Sequence, residues 1–78
     1  MSMHQVTVYT SNNCKRSDEL IHWLEQKDVD YTEKNISEER AYLEELQNSG
    51  VFGTPAAFVN NQTILGFQPN RMKQELNL

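Results

Sequence analysis

The strongest constraint on the fold is the alternation of two hydrophobic periods between residues 5 and 35. The stretch "QVTVYT" alternates polar residues with β-branched and aromatic ones and ends at the polar cluster "SNN", which predicts a strand followed by a loop. From Lys15 to about Lys27, apolar residues recur at helical spacing and predict a helix. The stretch "VDYTEKN" alternates again and predicts a second strand, with Val29, Tyr31 and Glu33 on one face. Two strands joined by a helix are expected to be parallel, with a right-handed crossover.

The second half of the chain carries its own start and stop signals. Ser37 is a predicted N-cap for a helix over "EERAYLEELQNS", and Gly50 lies just past the last turn of that helix. Two short apolar runs surround Asn60 and Asn61 in "AAFVNNQTILGF" and predict a β-hairpin. Pro69 is expected to open a last short helix.

These elements together predict an α/β fold with three helices and a four-stranded mixed sheet in the order βαβ-α-ββ-α. This order and the length of 78 residues are those of a minimal thioredoxin-like fold. Because the chain has no repeats, low-complexity tracts or linkers, we expect residues 1–78 to form one domain.

Composition excludes several classes of partner. The formal charge of −4 and the scattered basic residues argue against nucleic acid, whose recognition requires clustered Lys and Arg. No apolar run approaches the roughly 20 residues of a membrane span, and "MSMHQVTVYT" has no basic region before an apolar stretch. A single cysteine allows no intramolecular disulfide, which fits a cytoplasmic protein better than a secreted one. We therefore expect a cytoplasmic protein that binds neither nucleic acid nor membrane.

The single cysteine, Cys14, lies in the polar loop between the first predicted strand and helix. A helix N-terminus carries unpaired N–H groups and roughly half a positive charge, and Lys15 and Arg16 add cationic charge nearby. Such settings lower a cysteine pKa from about 8.5 to between roughly 3.5 and 7.5. The sequence therefore predicts a reactive thiol, and the alternative is a small buried hydrophobic residue.

Ser17 lies one helical turn after Cys14 on the same face. Its hydroxyl can donate a hydrogen bond to a thiolate but cannot resolve a mixed disulfide. Cys14 is thus a candidate nucleophile and Ser17 a candidate supporting catalytic residue, and a second molecule must release any mixed disulfide that forms.

Three segments resemble the glutaredoxins, and in particular the small glutaredoxin-like redoxins of the NrdH type. They are "VTVYTSNNC" before the helix, "GTP" at 53–55 and "GFQPNRM" at 66–72, and the resemblance covers essentially the whole chain. It implies a cis peptide bond before Pro55, which places the Thr54 backbone beside the cysteine, where it can form hydrogen bonds with the chain of a disulfide substrate. The substrate-binding residues that it implies are Thr10, Asn13, Lys15, Thr54, Pro55, Gly66 and Phe67.

The chain also departs from the NrdH pattern. "CKRS" stands where these redoxins have Cys-x-x-Cys, so the dithiol route is closed, and the sequence leaves open whether Ser17 is native or an engineered replacement of a resolving cysteine. Glutathione-binding members usually have Lys near the position of Ser11 and a Gly-Gly-x-Asp-like segment where this chain has "GFQPN". The expected reductant is thioredoxin reductase or a small thiol, with glutathione or another low-molecular-weight thiol as the candidate co-substrate. Iron–sulfur carriers have Cys-Gly-Phe-Ser, and this chain lacks that glycine.

No bound cofactor or metal is expected. Cys14 is accompanied by only two histidines, His4 in the N-terminal segment and His22, which lies about 12 Å along the helix, so no plausible ligand set forms.

The leading hypothesis is a monomeric thiol–disulfide oxidoreductase or electron carrier that forms mixed disulfides with a protein or a small thiol. The alternative is a redoxin-shaped binding module with an unreactive cysteine. An arsenate-reductase-like domain also has Cys-x-x-Ser, but 78 residues leave no room for its inserted helical region.

Overall fold

The computed structural model describes residues 5–78 and consists of one sheet with helices on both faces. The elements follow in the order β1 (Val6–Thr10), α1 (Lys15–Gln26), β2 (Thr32–Asn35), α2 (Arg40–Asn48), β3 (Ala56–Val59), β4 (Gln62–Leu65) and α3 (Pro69–Leu76). The strands lie in the order β2-β1-β3-β4; β1 and β2 are parallel and the other two pairs are antiparallel. The predicted element order and mixed four-stranded sheet with three helices are confirmed. No helix in this part of the chain is long and apolar enough to cross a membrane.

The two faces of the sheet are covered by different helices. Alternate residues of β1 point to opposite faces, so Val6 and Val8 join one core cluster and Tyr9 joins the other. The larger cluster includes buried leucines and a methionine from α1 and α3, and the smaller one includes Leu46 of α2. Strand β1, which is paired on both edges and packed on both faces, is therefore the rigid base from which the next loop leaves the sheet.

Helix α2 is also attached to the sheet by a polar bridge. The Tyr9 hydroxyl donates to Glu45 Oε1 at 3.0 Å, and Lys34 Nζ donates to the same oxygen at 2.7 Å. The hydrogen bond from Lys34, followed by that from Tyr9, lowers the pKa of Glu45 from its ordinary value. The bridge holds the helix that leads into residues 49–55.

Two local predictions were wrong, and both errors fall around the second strand. Strand β2 begins at Thr32 because α1 ends in a Schellman motif: Asp28 has a φ of 57° and the Val29 N–H donates to the Leu24 carbonyl at 3.0 Å. The segment from Val29 to Tyr31 therefore packs against the core without joining the sheet.

Ser37 is not the N-cap of α2, since that position belongs to Glu39. The Asn35 side chain accepts the N–H groups of Ser37 and Glu38, at 2.8 and 3.2 Å, and holds these residues in a turn. The Ser37 hydroxyl instead accepts the Asn12 N–H at 3.0 Å. This hydrogen bond connects the turn after β2 to the loop that carries the cysteine.

The remaining start and stop signals are confirmed. Gly50 ends α2 with a φ of 82°, Asn60 has a φ of 56° in the hairpin, and Pro69 is the first residue of α3.

Candidate active site

Cys14 is the N-cap residue of α1, at the edge of the sheet where β1 ends. Asn13, with a φ of 57°, turns the chain into the helix, and the Asp18 N–H donates to the Cys14 carbonyl at 3.1 Å. The thiol is free and half-buried. The sulfur therefore lies at the positive end of a helix and is accessible to a reagent.

The loop before β3 brings Thr54 to the sulfur. Cys14 Sγ lies 3.9 Å from the Thr54 carbonyl oxygen, toward which the S–H is directed, and 3.9 Å from Thr54 Oγ1. The Thr54–Pro55 peptide bond is cis, as the resemblance implies. Thr54 Oγ1 is also 2.6 Å from Ser11 Oγ, so two hydroxyls from distant parts of the chain meet beside the sulfur.

Ser17 lies beneath the sulfur, one turn into the helix. Its side chain is almost completely buried, with 1% of the residue exposed. Its Oγ has no hydrogen bond of ordinary geometry to any group between residues 5 and 78. A buried hydroxyl without a partner is unusual in a folded protein and calls for an explanation.

The pKa of the Cys14 thiol is lowered from its ordinary value. The largest cause is the Ser17 hydroxyl, which stabilises the thiolate, and the partial burial of the sulfur opposes it. Smaller contributions come from the Ser17 backbone N–H and from the hydroxyls of Thr54 and Ser11. The Ser17 hydroxyl forms no bond of good geometry to the neutral thiol, and a hydroxyl proton rotates freely, so we assign its effect to the ionised sulfur.

The predicted binding residues do not all lie at the sulfur. Thr54 lies beside it, the following Pro55 is buried, and Asn13 and Lys15 are exposed on either side of Cys14. Lys15 and its neighbour Arg16 are not among the largest causes of the lowered Cys14 pKa, although the sequence suggested a contribution from them.

Three other residues of the sequence interpretation are placed differently. Thr10 is 2% exposed and its hydroxyl donates to Glu33 Oε2 at 2.8 Å, so it is not presented at the surface. Gly66 has a φ of 75° and its N–H donates to the Pro55 carbonyl at 2.8 Å, which joins it to the loop of Thr54. Phe67 is half-buried and packs against the larger core cluster.

The sequence interpretation missed an apolar groove next to Thr54. Its volume is about 250 Å³, and its lining includes Phe52, Gly53, Thr54, Leu65 and Gly66 but no charged residue. Phe52 and Leu65 are 78% and 55% exposed, although both are large and apolar. The sequence held a signal for each residue. Phe52 is an aromatic residue within the turn sequence "GVFGTP", and Leu65 follows another apolar residue in "QTIL", where the alternation of a strand buries only one of two neighbours.

His22 takes no part in this site. His22 is exposed on α1, and His4 lies outside the described residues. Between residues 5 and 78, no three His, Cys, Asp or Glu side chains are grouped so that they could hold a metal ion. The chemistry available here is that of one thiol supported by hydroxyls and a helix N-terminus.

Comparison with known proteins decides the family. The sequence matches the family model described as Glutaredoxin over residues 6–64. The chain belongs to the glutaredoxin family. Membership confirms the predicted family and establishes a function of the thiol–disulfide oxidoreductase type in general. Members of the family use no prosthetic cofactor.

The relatives of this glutaredoxin-family chain include small redoxins of the NrdH type. It is 28% identical over 67 residues to the glutaredoxin-like protein NrdH of two Lactococcus lactis strains, across 86% of this chain and 93% of theirs.

Solved structures show the thioredoxin-like fold. The thioredoxin-like protein BC3987 has a TM-score of 0.85 at 24% identity, covering 91% of this chain and 99% of its own. The glutaredoxin-like NrdH-redoxin from Escherichia coli has a TM-score of 0.81 at 21% identity, with 90% and 92% covered.

Proposed function

We propose that this chain is a monothiol redoxin in which Cys14 is the nucleophile for disulfide substrates. The observation that carries the proposal is the half-buried Cys14 sulfur at a helix N-terminus, with a lowered pKa and the hydroxyls of Ser17 and Thr54 beside it. A thiol of lowered pKa is ionised to a larger extent near neutral pH, and the thiolate is the species that attacks disulfides.

The exchange is balanced in two steps. The Cys14 thiolate attacks one sulfur of a substrate disulfide; the substrate S–S bond breaks, a mixed disulfide with Cys14 forms, and the other substrate sulfur leaves as a thiolate. A thiolate from a second molecule then attacks the substrate sulfur of the mixed disulfide; the bond to Cys14 breaks, a disulfide forms between the second molecule and that substrate sulfur, and Cys14 leaves as a thiolate. The lowered pKa of Cys14 favours this second step, because a thiol of lower pKa leaves faster. Ser17 supports the thiolate in both steps but cannot replace the second thiol.

A protein disulfide is the substrate that this site suits best. The groove beside Thr54 has no charged lining residue, and the exposed Phe52 and Leu65 flank it. An apolar residue adjoining a substrate cysteine would bury surface there, whereas the carboxylates of glutathione would find no cation in the groove. The E. coli NrdH-redoxin is described as having a thioredoxin-like activity profile, which supports the same choice.

The remaining parts of the proposal follow the family. Thioredoxin reductase or a small thiol supplies the electrons, and residues 1–78 act as one cytoplasmic, monomeric domain. Asn13, Lys15, Thr54, Pro55, Gly66 and Phe67 are retained as candidate contacts for the substrate. Thr10 would contribute through its backbone and its bond to Glu33, since its side chain is buried.

Trapping of the mixed disulfide tests the nucleophile. The protein is incubated with oxidised glutathione or an aromatic disulfide, and the intact mass is measured without reductant. We expect one adduct on Cys14, none on Cys14→Ser, and rapid loss of the adduct when Ser17→Cys supplies a resolving thiol. A Cys14 that forms no adduct with any disulfide, and alkylates with a pH midpoint at or above about 8.5, would instead establish the binding-module alternative.

A second experiment tests the substrate class. Phe52→Ser is expected to lower kcat/KM for a protein disulfide, with a dithiol such as dithiothreitol as the reductant, and to leave the rate with a small disulfide unchanged. Leu78→Ser is the control, because Leu78 is 58% exposed and lies outside the groove. Equal rates for Phe52→Ser and wild type on protein disulfides would contradict the role of the groove.

A further inference from the structure

Ser11 lies in the loop that follows β1, and its hydroxyl meets Thr54 across the site. The two oxygens are 2.6 Å apart, although the residues are 43 positions apart in sequence. Both side chains are half-buried, so the contact is partly protected from water. Thr54 Oγ1 lies 3.9 Å from the Cys14 sulfur, and of the two hydroxyls Thr54 contributes more than Ser11 to the lowered pKa of that thiol.

The hydroxyl protons allow two arrangements of this contact. A hydroxyl has one proton to donate, and Thr54 Oγ1 has two acceptors within reach, Ser11 Oγ and Cys14 Sγ. While Cys14 is a neutral thiol, its S–H is directed at the Thr54 carbonyl oxygen, and Thr54 can donate to Ser11. When Cys14 loses its proton to solvent, the sulfur becomes a charged acceptor, and the Thr54 proton is drawn toward it.

We propose that Ser11 is a positioning residue, whose hydroxyl donates to Thr54 Oγ1 and thereby fixes the Thr54 proton on the Cys14 thiolate. If Thr54 donated to Ser11 instead, the thiolate would lose one of its donors. With Ser11 as the donor, the two hydrogen bonds point the same way and polarise each other. The inference rests on the proposed function, in which Cys14 reacts as a thiolate.

We call this pair of hydrogen bonds, from Ser11 to Thr54 and from Thr54 to the sulfur, the relay. It can stabilise the Cys14 thiolate without a cation at position 11. A hydroxyl there supplies no charge, but it can pass a donor through Thr54 to the sulfur. Ser11 thus acts mainly through Thr54, in addition to its own small contribution to the lowered pKa of Cys14, and needs no contact with the substrate.

A double-mutant cycle tests the relay. The readout is the pH midpoint of Cys14 alkylation by iodoacetamide, between about pH 4 and about pH 10, with the site confirmed by mass spectrometry. We expect Thr54→Val to raise the midpoint by about half to one unit and Ser11→Ala by a few tenths of a unit. In the Thr54→Val background, Ser11→Ala should raise the midpoint by clearly less than it does in the wild-type background. Ser11→Thr keeps the hydroxyl and should retain the wild-type midpoint. Ser49→Ala is the control, because its hydroxyl donates to the Glu45 carbonyl on α2.

The possible results separate the relay from the proposed function. A low wild-type midpoint together with no shift in Ser11→Ala overturns the relay alone. A Ser11→Ala shift of undiminished size in the Thr54→Val background also overturns it, because Ser11 would then act on the sulfur without the help of Thr54. A wild-type midpoint at or above about 8.5 contradicts the activated thiolate itself. Should Thr54→Val fail to fold, Thr54→Ala removes the same hydroxyl and completes the cycle.

Discussion

Replacing the buried Ser17 with alanine should stabilise the folded protein but make the Cys14 thiol less acidic. Ser17 is 1% exposed and its hydroxyl has no hydrogen-bond partner between residues 5 and 78. Leaving a buried hydroxyl without a partner costs about 1–3 kcal/mol, and alanine has the higher helix propensity. At a pH where Cys14 is a neutral thiol, we therefore expect Ser17→Ala to raise the free energy of unfolding by about 1 kcal/mol.

Ionisation of Cys14 reduces the stability gained by Ser17→Ala, because the thiolate gives the Ser17 hydroxyl of the wild type an acceptor. Hydrogen bonds to charged groups contribute about 1.5–3 kcal/mol, and one pKa unit corresponds to about 1.4 kcal/mol. Ser17→Ala should thus raise the pH midpoint of Cys14 alkylation by about one unit. The folded-state pKa of Cys14 is lowered, so the thiolate's stabilising contribution is complete above the ordinary value of 9.0 and is lost as the pH falls through the lowered value. The stability advantage of Ser17→Ala should therefore shrink as the pH rises and disappear above about pH 9.

Urea unfolding in the presence of a reductant measures this difference. Fluorescence of the half-buried Trp23 reports unfolding at about pH 5.5 and about pH 9.5, and Ser49→Ala serves as the exposed serine control. The free energy of unfolding of Ser17→Ala should exceed that of wild type by more at the acidic pH than at the alkaline one. A Ser17→Ala variant that is less stable than wild type by the same amount at both pH values, with an unchanged alkylation midpoint, would refute the reasoning.

Three further predictions concern stability alone. Glu45→Gln should lower the free energy of unfolding at pH 7, whereas Glu44→Gln, which alters an exposed ion pair, should have little effect. The Glu45 contribution is complete above its ordinary pKa of 4.5 and is lost as the pH falls through the lowered value, so both variants should converge with wild type in acid. Gly66→Ala should cost about 1–2 kcal/mol because its φ is +75°, whereas Gly53→Ala, without positive φ and with no atom within 4 Å of the added Cβ, should cost little. Asp28→Gly should raise the free energy of unfolding by up to about 1 kcal/mol, since Asp28 ends α1 with a φ of 57°.

Urea denaturation at constant ionic strength measures all three. Equal losses for the two glutamate variants would show that the bridge to Tyr9 and Lys34 contributes no stability. A neutral Gly66→Ala, or an Asp28→Gly less stable than wild type, would contradict the backbone argument at that position.

The sequence predicted those elements whose signal is local and periodic. The alternation in "VTVYT", the glycine after α2 and Pro69 at the start of α3 each depend on neighbouring residues, and each prediction is confirmed. The start of β2 could not be found in this way, because the Schellman motif at Asp28 uses a residue that is not glycine. Ser37 was misassigned because its hydroxyl accepts the N–H of Asn12, which lies 25 positions away and comes near only in the folded chain.

The candidate site was only partly predictable for the same reason. Cys14 could be placed at a helix N-terminus from the local pattern, and the resemblance directed attention to Thr54. The contact between Ser11 and Thr54 joins the ends of two strands that only the sheet brings together. Sequence reasoning assigned the acidity of Cys14 to the helix N-terminus, with added charge from Lys15 and Arg16. The largest cause in the folded chain is the Ser17 hydroxyl, with smaller contributions from the hydroxyls of Thr54 and Ser11.

The largest causes of the lowered Cys14 pKa are short hydrogen bonds rather than exposed cations, and this has a consequence for how the protein responds to its medium. Attraction between exposed charges is screened by dissolved salt over a Debye length of about 10 Å at 0.1 M, whereas a hydrogen bond from a buried hydroxyl is screened far less. Ser17 and the Ser11–Thr54 pair act on the sulfur over short distances inside the loop. The acidity of Cys14, and with it the rate of attack on an uncharged disulfide, should therefore vary little between dilute buffer and high ionic strength.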